Sequence, residues 1–116
     1  MTKKRILVAE SILDRILFFI ERFGDNYLDI VETSAGANSY LSETVYDFIF
    51  LGGDLGPDDS CFFVAKFLEA NKNNPNNDSM VVIHTWNTSE ALLMMQLLPK
   101  AVHYPFDEAR YSVLRI

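Results

Sequence analysis

The stretch FIFLGGDLGPDD, residues 48–59, decides how the rest of the chain is read. Phe48, Ile49, Phe50 and Leu51 are apolar at both odd and even positions, the pattern of a strand buried on both faces. Gly52-Gly53 end it, and Asp54, Asp58 and Asp59 follow at once. Acids just past a buried strand point to chemistry at that edge. Two glycines at the strand mouth mean either that a side chain has been removed or that something comes very close to the backbone.

Working outward, the same short apolar runs recur. Ile6 to Ala9, Leu28 to Val31, Tyr46 to Leu51, Met80 to Ile83 and Ala101 to His103 read as five strands. Between them lie helical patterns. Ile12, Leu13, Ile16, Leu17, Phe19, Ile20 and Phe23 share helical spacing up to Gly24, and a short helix is expected over 36–42. A third helix, capped by Asp59 or Ser60, runs to about Asn71 with Phe62, Phe63, Phe67 and Leu68 buried. NKNNPNND, 71–78, reads as a polar turn without structure of its own. Ser89 caps a fourth helix that Pro99 ends, and Asp107 to Leu114 form the last. Alternation of this kind predicts an α/β three-layer sandwich, a five-stranded parallel sheet with helices on both faces.

Ligands of such sheets bind outside the carboxyl ends of the strands. The residues to weigh are therefore Glu10-Ser11, Gly52 to Asp54, His84 to Asn87, and Tyr104-Pro105. Glu10 and Asp54 read either as oxygen ligands of Mg²⁺ or as a helix-start acid and a turn former. His84 is a general acid–base candidate or a satisfied buried histidine. Thr85 and Asn87 can bond a phosphate, and Trp86 can stack or act as a lid. Pro105 either carries a cis peptide at the pocket rim or simply ends a strand. Met94, Met95 and Cys61 read as core. No Walker-type or dinucleotide glycine motif occurs, nor any cysteine–histidine metal spacing.

Composition narrows the class. The chain has 116 residues, enough for one domain over 1–116 with its own core. With 49% hydrophobic and 22% charged residues it falls in the globular class. A net charge of −6, with Lys3-Lys4-Arg5 holding three of ten basic residues, argues against nucleic-acid binding. The lone Cys61 fits a reducing compartment. The apolar run after MTKKR is too short for a signal peptide, and no membrane span is present, so a soluble cytoplasmic protein is expected.

The order of elements, with ILVAES, YDFIFLGGDLGP, VVIHT and YPF, resembles the receiver domain of two-component response regulators over essentially the whole chain. The resemblance implies Mg²⁺-holding acids after strand one, a phosphoacceptor aspartate ending strand three, a Thr or Ser after strand four and a Lys-Pro after strand five. Glu10 matches one acid and Ser11 replaces the other. Gly52 stands at the acceptor position, Thr85 matches the switch hydroxyl, Pro105 the proline, and Tyr104 replaces the lysine. Asp54 lies two residues past the acceptor position.

FLGGDLG with VVIHTWN and LLPKAVHYPF is similar to the predicted cyclic-phosphate-processing branch of receiver-like domains. That branch reads Asp-His-Asp-Leu-Gly and then His-Ser-Trp-Asn. Asp54-Leu55-Gly56, His84, Trp86 and Asn87 match, whereas Gly52 and Gly53 replace its first Asp and its His. The leading expectation is a degenerate receiver, unable to be phosphorylated, that works by protein contact with a histidine kinase or output domain. Thr85, Tyr104, Pro105 and Phe106 are its switch and contact candidates. Two alternatives stand beside it. One is binding or processing of a cyclic phosphate or nucleotide through Glu10, Asp54, His84, Thr85 and Asn87, with Gly52, Gly53 and Trp86 also lining the ligand; the other is a conventional receiver phosphorylated on Asp54.

Overall fold

The computed structural model describes residues 3–71 and 73–116, so readings that touch Met1, Thr2 or Lys72 lie outside the described residues. Five strands are present: β1 (Arg5–Ala9), β2 (Tyr27–Val31), β3 (Phe48–Leu51), β4 (Met80–Ile83) and β5 (Val102–His103). The helices are α1 (Leu13–Phe23), α2 (Ser34–Glu43), α3 (Phe62–Ala70), α4 (Thr88–Leu97) and α5 (Glu108–Ser112). All strand pairs are parallel, in the order β2-β1-β3-β4-β5. The order reverses between β1 and β3, the switch point where a doubly wound sheet opens a crevice at its carboxyl edge.

Two-residue alternation along the strands divides the interior. The odd-numbered residues Leu7, Ile49, Val81 and Ile83 of β1, β3 and β4 face α2, α3 and α4.

 Ala9 and Leu51 lie on this same face, where they meet Leu41, Val64, Leu68 and Met94. Ile6, Val8, Phe50 and Val82 point the other way and are covered by Phe19 and Phe23 of α1 and Tyr111 of α5. Both faces of the sheet are thus apolar and covered, as a parallel sheet requires.

The five strands and five helices appear in the expected order, and several local expectations change. The apolar face of α1 is wider than the part that is buried. Phe19 and Phe23 are enclosed, whereas Ile12, Leu13, Leu17 and Ile20 are exposed, Leu13 at 65%. Phe63 of α3 is also exposed. The cap of α4 is Asn87, whose side chain accepts from the Glu90 N–H, and not Ser89. Asp59 does not cap α3. Its carboxylate instead accepts from the N–H and hydroxyl of Ser34, at 2.9 and 2.6 Å, and so ties the start of α2 to the loop after β3. Ser60 is the side chain at the start of α3, accepting from the Phe62 N–H at 3.0 Å. Tyr46 lies just before β3, and its hydroxyl donates to Asp29.

The polar segment 71–78 carries structure after all, a 3-10 turn over Pro75–Asp78. Asn76 is its anchor. The side-chain oxygen accepts from the Tyr46 N–H at 2.7 Å and the Ser79 hydroxyl at 3.1 Å. The amide nitrogen donates to the carbonyls of Leu41 and Thr44 at 2.9 and 2.7 Å. Every hydrogen-bonding position of this buried amide is used, and it closes the entry to β3. An unpaired buried polar group costs about 1–3 kcal/mol, so Asn76→Ala is expected to lower unfolding stability by about 2 kcal/mol or more. The exposed Asn77→Ala should change it by less than about 0.5 kcal/mol. Urea unfolding of the two variants checks this, and equal losses would count against Asn76 as the anchor.

Candidate functional site

The carboxyl edge is built by three hydrogen bonds that carry the sheet one residue beyond its central strands. Glu10 donates its N–H to Val31 O at 3.0 Å, Gly52 to Ala9 O at 3.0 Å, and His84 to Leu51 O at 2.8 Å. Glu10, Gly52 and His84 therefore stand side by side on the ends of β1, β3 and β4. Gly52 is the middle one of the three and has no side chain. Over it, Glu10 Oε1 and His84 Nε2 meet at 2.7 Å, with both side chains almost wholly buried.

Glu10 has further partners. Its Oε2 accepts from the N–H groups of Ser11 and Ile12, at 2.9 and 3.0 Å, and so serves the chain entering α1, which has no side-chain cap of its own. Arg15, one turn into α1, brings Nη1 to 3.6 Å from Oε1. Its guanidinium lies over the rings of Trp86 and Phe106, at 4.8 and 5.2 Å from their centroids. The Trp86 indole N–H donates to Phe106 O at 2.7 Å, which fixes a ring that is still 68% exposed.

Protonation states follow from this environment. His84 Nδ1 is buried and lacks a hydrogen-bond partner. A bare lone pair there costs less than an unpaired N–H, so the proton belongs on Nε2, which donates to Glu10. Burial lowers the His84 pKa below its ordinary 6.5, and the nearby Arg15 charge acts in the same direction. Burial also opposes ionisation of Glu10. The hydrogen bond from His84 and those from Ile12 and Ser11 outweigh it and hold the carboxyl below 4.5. The pair is a carboxylate with a neutral imidazole, and Arg15 is the cation that balances it.

Gly53 adjoins a second cluster. Its φ of +105° suits glycine, and an added Cβ would collide with the Glu90 carboxylate and lie 2.7 Å from Thr85 Oγ1. Glu90 reaches back from α4 and accepts from the Ser60 hydroxyl at 3.3 Å. Burial and the charge of Asp54 raise its pKa. Thr85 is buried, and its hydroxyl accepts from the Asn87 N–H at 3.1 Å.

Asp54 is placed differently. It is exposed, its Oδ1 accepts from the Gly56 N–H at 2.9 Å, and its backbone carbonyl accepts from Ser11 Oγ. Glu10 and Asp54 are thus linked through Ser11, and the two carboxylates accept from different partners. Among the described residues, no group of three or more His, Cys, Asp or Glu could hold a metal ion. Tyr104 and Phe106 extend the pairing beyond β5, with N–H groups donating to Ile83 O and His84 O. Pro105 lies between them, and no cis peptide occurs among the described residues. Cys61 is buried, its thiol pushed up to about 12 by burial, and its Sγ is 3.6 Å from Ala9 O.

Arg15 and Glu90 were missing from the sequence expectations. Nothing in the α1 pattern singles out Arg15. Glu90 did carry a signal, because Asn87 followed three residues later by Glu is the spacing of a capping box.

No protein-family model and no curated protein matches the chain. Solved structures do resemble it. The signal receiver domain of a putative LuxO repressor protein from Vibrio parahaemolyticus is 21% identical, with a TM-score of 0.72 over 94% of this chain and 84% of that one. The Mn²⁺-bound form of response regulator Rcp1 is 18% identical, with a TM-score of 0.69 over 94% and 89%. A member of a family of streptococcal redox sensors evolved from two-component response regulators is 25% identical, with a TM-score of 0.67 over 94% of this chain and 48% of that one. The chain has the fold of a response-regulator receiver domain. Among the described residues, no helix is long and apolar enough to cross a membrane.

The protonation states give a pH dependence with a definite sign. The folded pKa values of His84 and Glu10 are both depressed, so on acidification the unfolded chain takes up protons first. The His84 contribution is complete above about pH 6.5 and is lost on acidification below it, and that of Glu10 is lost only below about pH 4.5, at up to about 1.4 kcal/mol per pH unit for each group. The urea midpoint is therefore expected to fall between about pH 7 and pH 5, with His84→Gln flattening that segment. A midpoint that rises toward acid would mean that the folded protein holds His84 protonated.

Proposed function

We propose that this chain is a signalling domain of receiver fold that works through protein–protein contact and accepts no phosphoryl group. The observation that carries this reading is the closed Glu10–His84 pair above Gly52, at the position where the resemblance to receivers puts the acceptor. The nearest acid along the chain, Asp54, is turned into its own loop and exposed. In-line transfer tolerates little misplacement, which weighs against Asp54 as a substitute. Processing of a cyclic phosphate is also disfavoured, because the His84 ring is inaccessible and its Nε2 is committed to Glu10.

Contact is supported by what lies outside the pocket. The apolar residues of α4 extend round the helix: Ala91 and Met94 are buried, while Leu92 and Leu93 are exposed. A surface helix normally keeps its apolar residues to one stripe, and leucines beyond it suit a partner. Trp86, just before the cap of this helix, is exposed and tied by its indole N–H to Phe106 O, as suits an interface anchor. A histidine kinase or an output domain is the class of partner that fits a receiver fold.

Incubation with acetyl phosphate and Mg²⁺, followed by intact-mass measurement, is expected to show no phosphorylated protein. A stable phosphoprotein that disappears in Asp54→Ala would overturn the reading. Leu92→Ser and Leu93→Ser should each change unfolding stability by less than about 0.5 kcal/mol, as expected of residues not needed for folding. Losses of core size, about 2–5 kcal/mol, would assign the leucines to the fold.

A further inference from the structure

We propose that Gly52, Glu10, His84 and Arg15 form one interlocked unit in which the imidazole and guanidinium stand where a receiver would place a divalent cation and its acceptor side chain, making the domain metal-independent and Gly52 obligatory. This goes beyond the contact reading, since a domain that only makes contacts could still bind a cation.

Both carboxylate oxygens of Glu10 are engaged. Oε1 faces His84 Nε2 at 2.7 Å and Arg15 Nη1 at 3.6 Å, and Oε2 accepts two backbone N–H groups. A carboxylate oxygen has two lone pairs, so Oε2 is filled, while Oε1 gives one lone pair to the imidazole and turns the other toward the Arg15 charge. Mg²⁺ needs oxygens at about 2.0–2.1 Å in near-octahedral order, and would have to expel the imidazole from a buried position. It would also bring two positive charges up to Arg15. The resemblance to receivers implies a second acid after β1, and Ser11 is there instead, its hydroxyl donating to Asp54 O.

Position 52 has no room for a side chain. A Cβ on residue 52 would lie 2.7 Å from Glu10 Oε1, 2.8 Å from His84 Nε2 and 3.0 Å from Glu10 Cδ. The imidazole cannot easily swing away, because Phe19, Phe50 and Phe106 pack round it with centroids 5.2, 6.4 and 6.3 Å distant. Even one methyl group at position 52 therefore forces the pair apart. Gly52 and His84 are mutually dependent, and replacing the glycine by aspartate alone restores nothing.

Two measurements test the unit. In amide NMR spectra of the wild-type protein, added Mn²⁺ is expected to cause no saturable broadening centred on residues 10–11, 52–53 and 84–85. Broadening confined to exposed acids elsewhere agrees with this, whereas saturable broadening at those residues would overturn the proposal. The second is a double-mutant cycle read by urea unfolding. Gly52→Ala should lower the midpoint markedly in the wild-type background and little further in His84→Ala, where the ring has left room. Equal shifts in the two backgrounds would overturn the mutual dependence. The Mn²⁺ experiment needs no variant, so it decides the metal claim even if His84→Ala does not fold. Neither readout depends on phosphorylation, so this proposal and the signalling reading can fail separately.

Discussion

The hydrogen bond between Glu10 and His84 across Gly52 organises the carboxyl edge of this sheet. Adjacent strands lie about 4.8 Å apart, so residues on β1 and β4 are two strand spacings from each other. Their side chains can join only if the strand between them presents nothing at that level. Gly52 meets that condition. Once the bond forms, Glu10 turns its other oxygen to the N–H groups leading into α1, and Arg15 is brought in over the pair. Trp86 and Phe106 then close on Arg15 from the side of β4 and β5. Helix start, cation and aromatic lid all follow from one carboxylate.

Burying such a pair is costly, and the arrangement shows how the cost is limited. Two buried ions would lose hydration worth several kcal/mol each. A neutral imidazole leaves a single buried charge, and that charge has four polar neighbours. Arg15 supplies the compensating positive charge from the rim, with its guanidinium stacked on aromatic faces. The unsatisfied Nδ1 of His84 is the remaining penalty, taken in its cheaper form as a lone pair. Glu90, Thr85 and Ser60 make a similar economy above Gly53, where another missing side chain gives room to a carboxylate from α4. The two glycines are therefore complementary to the side chains above them.

The fold was legible because the signals that specify it are local and repeated. Phe48 to Leu51 and Met80 to Ile83 are continuous apolar runs, and each is followed by turn residues and an amphipathic stretch. What sequence could not show was the direction of helix faces. Leu13, Leu17 and Ile20 share spacing with Phe19 and Phe23, yet only the phenylalanines reach the sheet. Nor could it show long-range polar partners. Asn76 resembles any other residue of its Asn-rich loop, and its role comes from carbonyls more than thirty residues away in sequence. At the site, Glu10, Gly52 and His84 were all singled out, but separately, as a ligand, a loss and an acid–base group. Their joint meaning depends on the strand order β1-β3-β4, which puts the glycine in the middle.

Nitrogen-15 NMR of the histidine side chains reads the state of the Glu10–His84 pair. At neutral pH His84 is expected to be a neutral imidazole with a pyrrole-type, slowly exchanging Nε2–H and a pyridine-type Nδ1. Replacing Glu10 by Gln should shift both nitrogens. A His84 ring that is protonated, rapidly exchanging between tautomers or indifferent to residue 10 would rule out the closed pair, since the pocket would then be open and the glycine a vacancy.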